Sequence, residues 1–177
     1  MKKIFVMILA LAVILGLAAC GGENEDPSAA ESSLSTPSEA EPEFKTVPVF
    51  GIELTVPSSY TVSEGEVFII TSKDYPQKGD NVTVAYAEAD LADFTEKNMT
   101  AALQTAFEFE KFNNYKKEEI NGTMAVVYDF DTVTNGVSMH IKQLSFQAGE
   151  NVVTVTYCLM NEEFRSVFEE ILYSPLK

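Results

Sequence analysis

The sequence predicts an α+β domain in residues 44–177, in which helices cover parts of both faces of an antiparallel sheet of about six to seven strands. Three observations predict this class. Several short runs alternate apolar and polar residues, which is typical of strands. Two other runs carry an apolar stripe at helical spacing. The dipeptide Asn135-Gly136 lies between two alternating runs, which indicates a hairpin with a two-residue turn.

The chain begins with the pattern of an export signal. A basic start, MKK, precedes an uncharged apolar run of fourteen residues at positions 4–17. A membrane-spanning helix is the alternative interpretation. That run would reach only about 21 Å, whereas the hydrocarbon core of a bilayer is roughly 30 Å thick. The sequence therefore favours the interpretation that residues 1–19 form a signal peptide.

Residues 17–20, LAAC, resemble the lipobox of bacterial lipoproteins. The resemblance implies that the thiol of Cys20 receives a diacylglyceryl group and that the signal is cut before Cys20. Two acyl chains hold a protein stably on a bilayer. Otherwise Cys20 would be a free thiol that nothing buries. We therefore expect a lipid anchor at Cys20 on the extracytoplasmic face of the cell membrane.

Residues 21–43 are expected to be a disordered acidic tether behind the lipidated cysteine. They hold seven acidic residues and no basic ones. Such a composition buries too little apolar surface to offset the entropy of ordering. As a coil the segment spans on the order of 26 Å. A binding role for the acidic run is the alternative to a solvated spacer.

The charge and composition of residues 44–177 limit the partners and the chemistry. Ten basic and twenty acidic residues give a net charge of −10, which disfavours nucleic acid as a partner. Cys158 and His140 are the only residues of their types there, so no disulfide within the domain and no zinc site with two histidines can form. We expect no metal and no cofactor.

The elements follow in order along the domain. Strands are predicted at residues 52–56, 67–70 and 81–89, and Asp93 with Glu96 predicts the start of a helix. That helix carries an apolar stripe of Met99, Ala102, Leu103, Ala106 and Phe107. Strands at 115–120 and 124–134 flank a turn at Asn121-Gly122, and two more follow Asn135-Gly136. A final helix begins after Asn161, carries a stripe of Phe164, Val167, Phe168, Ile171 and Leu172, and ends at Pro175. The predicted order is three strands, helix, four strands, helix.

The Asn135-Gly136 turn also predicts a register. If Thr134 closes against Val137, then Phe130 faces Ile141, Asp131 faces His140 and Asp129 faces Lys142. A turn near residues 148–151 likewise sets Leu144 opposite Val155 and Phe146 opposite Val153. On this register each face of the sheet is apolar over one part and polar over another. Helices covering different parts of both faces would produce that pattern.

The register brings four polar side chains together as a candidate patch: Asp129, Asp131, His140 and Lys142. Such a patch could hold a ligand, a metal or a proton relay. The alternative is two cross-strand ion pairs, each contributing roughly 0.2–1 kcal/mol, and the sequence favours it. Cys158 is interpreted as a half-buried hydrophobe, with a reactive thiol as the alternative. Phe107, Phe109, Phe112 and Tyr115 are interpreted as core residues, with a groove as the alternative.

Several phrases, in this order, resemble the PsbP-like superfamily, which includes PsbP of the photosystem, Mog-type Ran-binding proteins and lipoproteins of the DcrB and LpqN kind. They are LTVP at 54–57 with Tyr60, GTMA at 122–125 with Tyr128, Gln143, VTVTY at 153–157, and Phe164 before ILYS at 171–174. Tyr60 stands where most members have Trp. The resemblance implies a curved antiparallel sheet between helices and no enzyme activity, and no functional residue carries over except the lipobox cysteine.

These observations predict a membrane-anchored extracytoplasmic lipoprotein that serves as a non-catalytic binding or accessory module of the cell envelope. Its expected partners are the bilayer, through Cys20, and an envelope protein or a small ligand. The alternative is an extracellular hydrolase using acidic residues, such as a glycosidase with two carboxylates. That chemistry needs a deep cleft and one carboxyl with a raised pKa.

Overall fold

The computed structural model describes residues 43–72, 75, 80–134 and 136–177. The predicted signal peptide, Cys20 and all but the last residue of the tether lie outside the described residues. Asn135 and most of the loop at 73–79 lie outside them as well.

The described residues form nine strands and two α-helices. The strands are β1 (Phe44–Val49), β2 (Ile52–Pro57), β3 (Thr61–Ser63), β4 (Phe68–Thr71), β5 (Asn81–Glu88), β6 (Asn114–Ile120), β7 (Thr123–Thr134), β8 (Val137–Ala148) and β9 (Asn151–Leu159). The helices are α1 (Glu96–Ala106) and α2 (Arg165–Tyr173). Short 3₁₀ turns lie at Leu91–Asp93, Glu162–Phe164 and Ser174–Leu176.

Seven strands form one antiparallel sheet in the order β3-β4-β5-β9-β8-β7-β6. Strands β1 and β2 pair with each other as a separate antiparallel ribbon. The predicted α+β class with an antiparallel sheet is therefore confirmed.

The predicted order of three strands before the first helix is wrong, because five strands precede α1. β3 has only three residues, too few for a periodic pattern. In β1 Pro48 interrupts the run, which an edge strand tolerates because it needs no donor on its outer side. The β1–β2 turn is Phe50-Gly51, both with positive φ (49° and 79°), and Phe50 is not a residue that signals such a turn. The four strands and the helix that follow α1 are as predicted.

The helix starts differ from the prediction in detail. Thr95, and not Asp93, caps α1, since its side chain accepts a hydrogen bond from the Asn98 backbone N–H at 3.3 Å. Asp93 instead ends the preceding 3₁₀ turn. Asn161 accepts from the Glu163 N–H at 3.1 Å, so it caps a 3₁₀ turn that leads into α2.

The sheet separates two apolar cores. On one face α2 buries Phe168, Ile171 and Leu172 against a group that includes Val127, Leu144 and Val155. On the other face α1 buries Met99 and Leu103 in a core with Phe130, Ile141 and Cys158. Beyond that second core lies a buried polar network, in which hydrogen bonds of 3.0–3.3 Å join Gln143, Ser145, Thr154 and Thr156. The predicted change of character along each face is therefore present.

The predicted register is confirmed at every stated pair. Asp131 lies opposite His140, Asp129 opposite Lys142 and Phe130 opposite Ile141. Leu144 lies opposite Val155, and Phe146 opposite Val153.

Candidate functional site

The β7–β8 hairpin extends beyond the strands on either side of it. β6 begins at Asn114, opposite Asp129, and β9 ends at Leu159, opposite His140. Residues 130–134 and 137–139 therefore have a strand partner only within the hairpin. Val133 and Val137 at its end are 47% and 43% exposed.

A groove of about 770 Å³ lies beside this end of the hairpin. Its walls come from the chain that joins α1 to β6, from the hairpin itself and from the chain that follows β9. The apolar side chains that line it are Phe107, Phe109, Met139 and Met160, together with Val133 and Leu159. Four carboxylates also line it, at Glu108, Glu110, Asp131 and Glu162. The groove thus combines an apolar lining with a strongly acidic one.

Asp131 and His140 form a hydrogen-bonded pair on the wall of the groove. Nδ1 of His140 lies 2.8 Å from Oδ1 of Asp131, and the Asn113 amide donates to Oδ2 at 2.7 Å. The hydrogen bond from His140 is the main cause that lowers the pKa of Asp131, and the bond from Asn113 adds to it. The His140 side chain is 14% exposed and that of Asp131 is 66% exposed. The carboxylate is therefore held ionised at the mouth of the groove.

Lys142 does not form the predicted ion pair with Asp129. Its Nζ lies 2.9 Å from Oε1 of Glu169 on α2 and 5.3 Å from the centre of the Tyr173 ring. Burial disfavours the charged amine, but the contacts with Glu169 and Tyr173 together raise the pKa of Lys142. The Tyr157 hydroxyl also donates to Oε1 of Glu169, at 3.3 Å. The physical reason is that α2 covers this part of the sheet and offers a nearer carboxylate.

The four predicted residues are therefore divided between two places. Asp131 and His140 line the groove, whereas Lys142 belongs to the contact between β8 and α2. Asp129 is half-buried, and its backbone carbonyl accepts a hydrogen bond from the Asn113 N–H at 2.9 Å. In the described part of the chain, no three His, Cys, Asp or Glu residues are grouped so that they could hold a metal ion.

A solved structure shares this architecture. No family model matches the chain, and no curated protein matches it. The solution structure of the cyanobacterial PsbP protein CyanoP from Synechocystis sp. PCC 6803 superimposes with a TM-score of 0.59 at 12% identity, covering 79% of this chain and 95% of that one. The fold is PsbP-like.

Two further structures are more distant. LpqN, described as involved in cell envelope biogenesis of Mycobacterium tuberculosis, has a TM-score of 0.48 and 11% identity, over 76% of this chain and 83% of that one. A protein of unknown function from Pseudomonas aeruginosa, PA94, has a TM-score of 0.48 and 12% identity, over 70% and 87% of the two chains.

Some groove residues of the PsbP-like domain were not singled out in the sequence. Thr132 lines the groove, is 5% exposed, and its hydroxyl has no hydrogen-bond partner among the described residues. Met139 lies opposite Thr132 on β8. Counting the register from the Asn135-Gly136 turn could have placed both on the face that carries Phe130. Nothing in the sequence indicates that the chain after α1 passes beside them.

The aromatic residues after α1 contribute both to the core and to the groove. Phe109 packs on Phe130 with ring centres 5.3 Å apart, and it also lines the groove. Phe107 is half-buried and lines the groove too, whereas Phe112 and Tyr115 pack on Tyr128 within the core. The core therefore supplies one wall of the groove.

Cys158 is more deeply buried than the half-buried position that the sequence predicts. It is 3% exposed, and burial, with a smaller effect of Asp80, raises the pKa of its thiol to about 12. A thiol with so high a pKa is a poor nucleophile at neutral pH.

Among the described residues, no helix is both long and apolar enough to cross a membrane.

Proposed function

We propose that this chain is a lipoprotein anchored to the extracytoplasmic face of the cell membrane, and that its PsbP-like domain is a non-catalytic binding module of the cell envelope. The groove at the end of the β7–β8 hairpin is its binding site. The observation that carries this proposal is the composition of the groove, an apolar lining with four carboxylates beside a protruding hairpin. Concave sites of that kind, with a few convergent polar groups, are the usual form of a binding site.

The anchor rests on the start of the sequence. The signal-like residues 1–19, Cys20 and the acidic tether of residues 21–43 occur in the order that a lipid anchor requires. The tether would hold the domain on the order of 26 Å from the bilayer. At a net charge of −10, the domain would not settle on anionic lipid, so the groove would stay accessible.

An extracellular hydrolase is the second candidate, because four carboxylates and His140 line one groove. A general acid at neutral pH needs a raised pKa, whereas the pKa of Asp131 is lowered. Oδ1 of Asp131 accepts a hydrogen bond from Nδ1 of His140, so this carboxylate is a fixed negative charge that suits binding better than the role of a general acid.

Site-specific photo-crosslinking in native cells tests the proposal. A benzoylphenylalanine at position 133, on the groove, should give one discrete adduct on irradiation. The matched control is position 86, since Tyr86 is equally exposed at 47% but does not line the groove. Mass spectrometry of the adduct then identifies the partner. The same adducts at both positions, or none at position 133, would remove the groove as the binding site.

A separate assay addresses the hydrolase. The purified chain and its Asp131→Asn and Glu110→Gln variants are incubated with chromogenic glycosides and ester substrates. Turnover that disappears in either variant, while its melting temperature is unchanged, would favour the hydrolase over the binding module.

A further inference from the structure

We propose that the groove binds an extended, basic segment of a partner protein, which adds as a strand to the free edge of β7. The free edge is the outer side of residues 130–134, where β6 has not yet begun. This inference rests on the proposed function, because it takes the groove as the binding site and names the chemistry of its ligand.

The first step is the direction of the backbone groups. The Asn113 N–H donates to the Asp129 carbonyl at 2.9 Å, so the carbonyl of Asp129 points away from β8. In an antiparallel strand, alternate residues direct both their N–H and their C=O to the same side. The backbone groups of Asp131 and Val133 therefore point away from β8 as well.

The closing pair of the hairpin gives the same result independently. Thr134 pairs with Val137 across a two-residue turn, and the pair that closes such a turn exchanges its backbone hydrogen bonds. Thr134, Thr132 and Phe130 thus bond to β8, which leaves the groups of Asp131 and Val133 on the outer side.

Within the described residues no strand pairs with this outer side. The β6–β7 register stops at Asn114 opposite Asp129, and β7 continues for five residues beyond that pair. Five residues of a strand span about 17 Å. Unpaired strand edges of this kind are templates for an added strand, and backbone hydrogen bonds supply much of the affinity.

The side chains along the edge select the charge of the incoming strand. Glu108, Glu110 and Asp131 line the groove, and Lys111 is the one lysine or arginine among its described lining residues. Lys or Arg at alternate positions of an added strand would meet these carboxylates, whereas acidic residues would be repelled. Apolar residues between them would lie on the opposite face of the strand, beside Thr132 and the aromatic lining.

The same charges exclude two other occupants. The chain's own tether carries seven acidic residues and no basic ones, so it would be repelled. A second copy of the domain brings a net charge of −10 to an edge that is already acidic. A basic segment of a different protein is the occupant that fits.

Fluorescence anisotropy with the full chain in detergent tests the proposal. The probe is a labelled peptide of sequence KVKVKVK, and EVEVEVE is its charge-reversed control. We expect KVKVKVK to bind and EVEVEVE not to bind. Val133→Pro should weaken binding about tenfold, because it removes an edge N–H and blocks the approach of a strand. Val133→Thr keeps the N–H and the branched shape, so it should weaken binding less than Val133→Pro does.

Amide hydrogen exchange provides a readout that needs no variant. On binding KVKVKVK, the amides of Asp131 and Val133 should become protected, because they would bond to the added strand. Equal affinity of the Pro and Thr variants, or unprotected amides in the complex, would overturn strand addition. If KVKVKVK fails to bind while position 133 still crosslinks a partner in cells, this inference is wrong and the proposed function stands. If the crosslink is also absent, the proposed function fails.

Discussion

His140 donates a hydrogen bond from Nδ1 to Oδ1 of Asp131 across the β7–β8 ladder, at 2.8 Å. An ionised carboxylate only accepts hydrogen bonds, so the proton of this contact belongs to the ring nitrogen. The pair lies where β9 ends, at the wall of the groove. It thereby fixes the position of a negative charge where the hairpin protrudes.

The first prediction concerns the acid response of this pair. Because the folded pKa of Asp131 is lowered, its contribution to stability is present above the unfolded pKa of about 3.9 and is lost as the pH falls through the folded pKa. Asp131→Asn should therefore cost a few tenths of a kcal/mol at pH 7, a small amount because the carboxylate is largely exposed. Urea melts of both proteins at a series of pH values measure the difference.

Carbon-detected NMR of the Asp131 carboxyl supplies the control. In His140→Ala the pKa of Asp131 should move back toward its ordinary value, because the hydrogen bond that lowers it most is gone. Asp129→Asn should leave the titration of Asp131 where it is. An Asp131 pKa that is the same in His140→Ala as in the wild type would contradict the hydrogen bond between the two side chains.

The second prediction concerns the partner of Lys142. A double-mutant cycle of Lys142→Met with Glu169→Gln should give a coupling energy of about 0.5–1 kcal/mol, since the pair is partly buried. The same cycle with Asp129→Asn should give less than about 0.3 kcal/mol. Denaturant melts measure both cycles. A larger coupling energy of Lys142 with Asp129 than with Glu169 would favour the cross-strand pair instead.

The third prediction concerns the packing of α2. Phe168→Ala should cost about 3–5 kcal/mol, because the Phe168 ring is fully buried between α2 and the sheet. Met124→Ala is the matched control, since Met124 is 44% exposed and should cost below about 0.5 kcal/mol. Similar midpoints for the two variants in guanidinium melts would mean that Phe168 does not anchor the helix.

The fourth prediction concerns the anchor. Cys20→Ala should prevent acylation and leave the precursor uncut or wrongly processed, because the thiol is the group that carries the lipid. Partitioning in Triton X-114 and mass spectrometry of the N-terminus measure this. Wild type and variant with the same N-terminus, both in the aqueous phase, would rule out the lipoprotein.

The register could be predicted from the sequence because a two-residue turn fixes which residues face each other. That one turn placed Asp131 opposite His140 without knowledge of the rest of the fold. The partner of Lys142 could not be found in this way. Its long side chain reaches Glu169, and only the packing of α2 brings that carboxylate close.

The sequence suggested a groove only as an alternative for the aromatic residues after α1, and the position of the groove could not be predicted for a related reason. It depends on where β6 and β9 stop beside the hairpin, and on the path of residues 107–113, which have no periodic pattern.

The start of α1 shows how two local capping signals compete. Asp93 and Thr95 both precede a helical run, and a 3₁₀ turn takes the first of them. Local sequence alone does not decide between two such candidates.

The sheet that separates the two cores also has a consequence for how the chain tolerates change. Leu103 on α1 and Ile171 on α2 are both fully buried, yet they share no packing partners, because each contacts a different face. Substitutions at distant sites without shared partners add in their effects on stability. Substitutions in one core should therefore show little epistasis with substitutions in the other. Each core can then accumulate substitutions independently of the other.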